Sequence, residues 1–267
     1  MRLGPDSARY LLAGRGVRVA KPFHLRVLLP WLCEAEVSRW RFVWLSSWPL
    51  LIGLTAWFGW LSGLKLGPAA AAGVLVAALP GVWGPPVVRP VGVDLPGMVI
   101  ALGALVAFEY GWWLLGVVLI VFAALTKESM PVWAALWSWS LWPLVGLAAP
   151  LVVGLVRKPT ANANLREVHD HPVKTALTVH RGQWRDAWIM VAPWGVCLAG
   201  VLEPSWPVIV AVVVAYCQLL VATDTVRLLH TAAGVPLALA AVAVIPSSWL
   251  VLAVVVHVVW WRKPQLI

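Results

Sequence analysis

Several short stretches of this sequence set ionisable side chains where they can carry chemistry. The chain begins with Gly4-Pro5-Asp6-Ser7-Ala8-Arg9-Tyr10 and continues to Pro22-Phe23-His24-Leu25-Arg26-Val27-Leu28-Leu29-Pro30. Gly92-Val93-Asp94-Leu95-Pro96, Thr126-Lys127-Glu128-Ser129 and Thr223-Asp224-Thr225-Val226-Arg227-Leu228-Leu229-His230 follow. A carboxylate can take the proton of an attacking hydroxyl. Fixed cationic donors can stabilise the charge on a departing phosphate. On those grounds Asp6 and Asp94 are candidate catalytic carboxylates, Asp6 as the base and Asp94 as a group that positions the acceptor. Arg26, Arg227 and His230 are candidate phosphate ligands, with Lys174, His180 and Arg181 as lesser ones. Lys127, Glu128 and Asp224 are candidate supporting groups.

Each of these residues also has a plainer reading. Asp6 can cap a short helix from Ser7 to Ala13, and Asp94 can cap one starting at Leu95. Arg227 can snorkel to lipid headgroups from a helix end, or pair with Asp224 at i, i+3. Arg26, between Leu25 and Val27, can anchor to headgroups. Lys127 and Glu128 are neighbours and do not face each other on a helix, so they need separate partners. Arg26 and Arg227 are the candidates for Glu128. His169-Asp170-His171 is a weak metal signal without further ligand spacing, and a surface loop near headgroups is the better reading.

The elements that must hold these groups are apolar. Of the 267 residues 61% are hydrophobic and only 12% charged, with a mean hydropathy of +0.86. A soluble domain carries about 25% charge. The composition therefore points to an all-α, polytopic membrane bundle of eight to ten segments. The three cysteines, Cys33, Cys197 and Cys217, have no CxxC spacing and indicate neither a disulfide framework nor a zinc site. The N-terminus lacks the apolar core of a signal peptide. Residues 1–41 read as a basic interfacial segment with short helices, 42–261 as the transmembrane domain with a polar loop at 157–187, and 262–267 as a short basic tail. Spans are expected over Phe42 to Leu61 and Leu66 to Trp83, joined at Ser62-Gly63. Gly97 to Thr126 is too long for one crossing and is expected to break into two short helices at Glu109-Tyr110-Gly111. Pro131 to Val156 crosses once or folds back. Two later hairpins pair Ala187–Leu202 with Trp206–Val221 and Thr231–Ile245 with Trp249–Trp261.

Net charge is +9. In a membrane protein such an excess sets orientation and attracts anionic headgroups before it indicates an anionic substrate. Nucleic acid is not an expected partner, because the basic residues flank apolar spans and no binding motif appears. If Pro131 to Val156 folds back, every Lys and Arg except Lys65 falls on one face, as do all the acids except Glu109 and Glu203.

Taken in order, the motifs resemble the integral-membrane glycosyltransferases of the GT-C class, which use polyprenyl-phosphate-linked sugars. That family has an acidic first loop, a Pro-Phe-x-x-Arg-x-Leu-x-Pro run, an acid opening a later span, a Lys-Glu or Arg-Glu pair and a late Asp-Thr-x-Arg segment. The likeness runs from about Gly4 to Ile245. It implies transfer of a sugar from a polyprenyl-phosphate donor, the one small-molecule partner expected besides membrane lipids, to an unknown acceptor. The Trp residues at 133, 137, 139 and 142 could then stack on sugar rings, although packing and interface anchoring are commoner uses of Trp in a membrane helix. One departure is large. The family carries a transmembrane helix before its first acidic loop, whereas Asp6 is near the start of this sequence. Either that helix is lost or the true start lies upstream; the family's site faces away from the cytoplasm, and with the helix lost the charge asymmetry puts this chain's active face, with both termini, in the cytoplasm.

A transporter or flippase for a lipid-linked anion is the second class considered. It needs charges deep in the spans or broken helices in paired halves, and here the ionisable groups gather at one face. A non-catalytic membrane scaffold of the same architecture is the third.

Overall fold

The computed structural model describes residues 5–82, 91–160, 172–183, 191–202, 205–220 and 225–260. Helices account for the regular structure, and there is no strand among the described residues. The chain divides into two compact units, one of residues 1–54 and 85–162, the other of 55–84 and 163–267.

The first unit begins with a platform of short helices, α1 (Pro5–Gly14), a 3-10 turn (Phe23–Leu25) and α2 (Leu28–Cys33). Aromatic burial holds it together. Tyr10 sits edge-on to Phe23 at 5.2 Å and against Trp40 at 5.8 Å. The Trp40 indole donates to the Glu34 carbonyl. Gly14 lets α1 approach α2 closely, since a Cβ there would collide with the Glu34 backbone. The expected short helices are thus present. The long helix that follows, α3 (Val37–Leu61), starts ahead of Phe42.

Residues 97–126 break where expected. α5 (Asp94–Glu109) and α6 (Trp113–Thr126) form a tight hairpin, with Gly111 at φ 71° in the reversal, a conformation open to glycine at little cost. Leu95, Met98, Leu102 and Leu105 of α5 are buried, as are Ile120, Ala123 and Ala124 of α6. The next stretch is α7 (Met130–Ser138), a left-handed Trp139, a 3-10 turn (Trp142–Leu147) and α8 (Ala148–Val156). It returns to its own beginning. Glu128, just ahead of it, bonds Arg26, and Gly154 near its end lies against Leu25. Both ends of the 131–156 stretch therefore lie beside residues 25–26, as a fold-back requires.

In the second unit α4 (Leu66–Ala78) is shorter than Leu66 to Trp83, because Leu79 turns extended ahead of Pro80. Gly63, at φ 96°, makes the turn before it. The polar stretch expected as a loop holds a helix, α9 (Pro172–Gln183). Ala192–Leu202 is a 3-10 segment kinked at Gly195 rather than a regular span. α10 (Trp206–Cys217), α11 (Thr225–Val244) and α12 (Leu250–Trp260) complete the unit. The buried face of α11 is mostly small: Ala232, Ala233, Val235, Ala238 and Ala241. Gly200 meets it at the Leu237 carbonyl.

Two helices, Val37–Leu61 and the Arg227–Val244 part of α11, are long and apolar enough to cross a membrane. The other apolar helices, at 11 to 15 residues, would extend about 16–23 Å at 1.5 Å per residue.

Candidate functional site

The residues singled out in the sequence divide between the two units. Asp6, Arg26, Asp94, Lys127 and Glu128 belong to the first, and Arg227 and His230 to the second. Asp224, with His169, Asp170 and His171, lies outside the described residues, and nothing is described of the side chains of His180 and Arg181.

Local helix geometry builds the first cluster. Asp6 is in the first turn of α1, where the helix dipole favours a carboxylate. Its oxygen accepts from Arg9, at i+3, at 3.0 Å. Asp6 therefore sits inside the helix rather than capping it. Its side chain keeps 37% of its surface exposed, enough for a substrate hydroxyl to reach. Ser7 donates to the Val91 carbonyl at 3.0 Å, which fastens α1 beside the entry to α5.

The α5–α6 hairpin explains the next pair. Its two arms are similar in length, so the start of α5 and the end of α6 return to the same level. That brings Asp94 against Lys127, and the two form an ion pair. The N-cap of α5 is Val93, without a side-chain cap bond, so Asp94 is a partner of Lys127 instead of a cap. Only 5% of the Lys127 side chain and 17% of that of Asp94 are exposed. Two charges so enclosed persist because each compensates the other's desolvation.

Glu128 pairs with Arg26, as one of its two sequence alternatives anticipated. The bond is a fork: Nε donates to Oε2 at 2.7 Å and Nη2 to Oε1 at 2.8 Å. Nη1 donates to the Tyr10 hydroxyl at 2.6 Å. Burial alone would weaken the Arg26 charge, but Tyr10 and Glu128 outweigh it and raise the pKa well above its ordinary value. Burial likewise pushes the Glu128 pKa upward, and Arg26 overrides this to hold it below the usual carboxylate range. Three of the five guanidinium N–H donors are thus engaged among the described residues, which leaves two that could meet a ligand. Phe23 lies between two guanidinium groups, Arg9 at 5.0 Å and Arg26 at 5.2 Å from its ring centre.

Tyr10, Arg9 and Phe23 complete the cluster, although the motifs by themselves assign them no role. Spacing carried the signal. Arg9 and Tyr10 follow Asp6 by three and four residues, on one face of α1, and Phe23 precedes Arg26 by three.

The second unit treats its residues differently. His230 is fully buried. Its Nδ1 accepts the Gly81 N–H at 2.9 Å, and Trp194 packs edge-on to its ring at 4.7 Å. So enclosed, His230 packs within its own unit, with Nδ1 already engaged. Arg227, half-buried, stands one turn earlier on α11. Lys174 is exposed on α9. His257, which the sequence did not single out, is a second buried staple. Its Nδ1 accepts the Val196 N–H at 3.2 Å. That tautomer leaves Nε2–H to donate to the Leu75 carbonyl, also at 3.2 Å. The two bonds tie α12 to the Gly195 kink and to α4.

Trp133 and Trp137 are buried in their own unit, whereas Trp139 and Trp142 are exposed. Among the described residues no group of three or more His, Cys, Asp or Glu could hold a metal ion. All three cysteines are free, Cys33 and Cys197 buried and Cys217 exposed. Comparison of the chain with protein-family models, with curated proteins and with solved structures finds no match.

Proposed function

We propose that this chain is a polytopic membrane glycosyltransferase that moves a sugar from a polyprenyl-phosphate donor to an acceptor hydroxyl. The observation that carries the reading is the convergence of four separate motifs in one unit. Asp6 and Tyr10, Arg26, Asp94, and Lys127-Glu128 join through the bonds described above. In the proposed step Asp6 takes the acceptor's proton as the acceptor oxygen bonds the anomeric carbon. The sugar–phosphate C–O bond breaks with its electron pair on the phosphate, beside the two remaining N–H donors of Arg26. Asp94, fixed by Lys127, positions the acceptor. Membrane embedding is supported by the two long apolar helices. The outward aromatic and aliphatic side chains of α3 add to it: Phe42, Leu45, Trp48, Leu50, Trp57 and Trp60 are all exposed. The one-sided charge of the sequence supports a cytoplasmic active face.

A second reading, a non-catalytic membrane scaffold, is favoured by the same bonds. Asp6, Asp94 and Glu128 each already have a cationic partner, as a purely structural network requires. Transfer of radiolabelled sugar from polyprenyl-phosphate donors to membranes containing the protein separates the two. Under the enzyme reading Asp6→Asn abolishes transfer and leaves expression unchanged. Wild-type turnover in that variant removes Asp6 from the chemistry, and no transfer by the parent protein with any donor favours the scaffold.

A further inference from the structure

Beside this network, and within the same unit, lies a cavity of about 590 Å³, a size in the ordinary range for small-ligand sites. Three separate segments meet at it. The loop after α1 brings Arg18 and Val19, the 3-10 turn brings His24, and the end of α8 brings Val156, Arg157 and Lys158. The Thr160 N–H donates to the Val19 carbonyl at 3.2 Å, which binds the α8 end to the loop and keeps the cations together.

The cations at the cavity differ from those paired elsewhere in the unit. Arg9, Arg26, Arg39 and Lys127 each have a carboxylate partner. Arg18, Arg157 and Lys158 have none among the described residues, and no acidic side chain lines the cavity. His24 is 8% exposed, and its Nδ1 has no hydrogen-bond partner among the described residues. A buried polar atom left in that state is costly unless a ligand or water completes it. The cavity is therefore a concentration of uncompensated positive charge with an unfilled polar wall.

One side of it is apolar and leads outward. Val156 lines the cavity. Leu151, Val152, Leu155 and Val156 form exposed i, i+4 pairs on α8, Leu155 at 83% and Val156 at 79%. A free anion has no use for such a surface, whereas a lipid tail does. We infer that this cavity binds the phosphate headgroup of a lipid, with Arg18, Arg157 and Lys158 around the phosphate and the chain laid along α8. The site is separate from the Asp6–Arg26–Glu128 network and is expected to bind whether or not the protein transfers a sugar.

The test reads binding alone. Fluorescently tailed phosphatidic acid in neutral detergent micelles reports occupancy of the full-length protein by anisotropy. Untagged phosphatidic acid should displace it, and inorganic phosphate should not at comparable concentration. Replacing the three cations together (Arg18→Gln, Arg157→Gln, Lys158→Gln) should weaken binding by about a hundredfold, as expected for three lost lipid-facing charges. All three side chains are exposed, so the fold should tolerate the change. Arg15→Gln, an exposed cation outside the cavity, is the charge control and should change affinity less than about tenfold. Unchanged affinity in the triple variant overturns the inference. So does equal displacement by inorganic phosphate, which would make the cavity a simple anion site. An equal loss in Arg15→Gln would do the same, by reducing the effect to net charge.

Discussion

Glu128→Gln should loosen the N-terminal platform by about 2 kcal/mol. Removing one partner of a buried ion pair costs about 3–5 kcal/mol. This pair is not fully enclosed, with 12% of the Arg26 side chain and 27% of that of Glu128 exposed. Gln also keeps one acceptor for one of the two N–H donors, so the loss is close to a single hydrogen bond to a charged group, about 1.5–3 kcal/mol. Arg26→Met should cost about 3 kcal/mol, since it strands both the carboxylate and the Tyr10 hydroxyl. The double variant should fall short of the sum by about 1.5 kcal/mol or more, because the second change relieves the stranded charge. Cys33 is a built-in reporter. It is 1% exposed, and burial pushes its thiol pKa up to about 11 against the opposing pull of Arg39. Alkylation therefore requires the platform to open. Pulse labelling across a rising fraction of denaturing detergent, read by mass spectrometry of the Cys33 peptide, gives the opening free energy. The pH dependence has a definite sign. Glu128 has a lowered pKa in the folded state, so its stabilisation is fully present above the ordinary Glu value near 4.3 and is lost as pH falls through the folded value. The gap between wild type and Glu128→Gln should stay constant above about pH 5 and close in acid. Additivity of the two single changes within about 0.5 kcal/mol would refute the coupling.

Burial, then the charge of Lys21, lowers the His24 pKa despite the opposing charge of Glu128. The unfolded chain thus takes up a proton first, and stability should decline as pH drops below about 6.5. His24→Gln should flatten that slope in the Cys33 assay, and an unchanged slope would assign it to another group. His257→Leu strands the Val196 N–H and the Leu75 carbonyl and should cost about 2–4 kcal/mol, read as earlier thermal unfolding in neutral detergent. A wild-type midpoint would mean those bonds are not made. Cysteines at Arg15 and Thr178, both exposed positions, can be placed in a Cys217→Ser background. An impermeant maleimide should label them only after lysis if the charged face is cytoplasmic, and labelling in intact cells reverses that orientation.

The sequence was most readable where a single residue type decides local geometry. Gly111 marks the break in the long apolar run because its positive φ suits few other residues. The rule that helix neighbours do not face each other correctly demanded separate partners for Lys127 and Glu128, and the structure supplies Asp94 and Arg26. Other features hid for physical reasons. His230 carries the same chemistry whether it faces a ligand or a backbone amide, and only packing shows that its Nδ1 is already occupied by Gly81. Pro172–Gln183 reads as part of the polar loop 157–187 because its polar residues mask a helix. The cavity beside Val19 joins residues near the start of the sequence to the distant end of α8, and the backbone bond from Thr160 that links them leaves no compositional trace.

The fork between Arg26 and Glu128 joins residues 102 positions apart, and that separation sets an order of events during synthesis. At about 5–20 residues per second, the ribosome needs roughly 5–20 s after adding Arg26 to add Glu128. Val37–Leu61 emerges within that interval. If this long apolar helix enters the membrane as proposed, Arg26 at that moment still lacks Glu128, its partner in the finished fold. Its full charge can help to hold the N-terminus inside. Under the proposed membrane reading, the later arrival of Glu128 would convert a topogenic signal into an internal strut, so that one side chain would first orient the nascent chain and afterwards stiffen the finished protein.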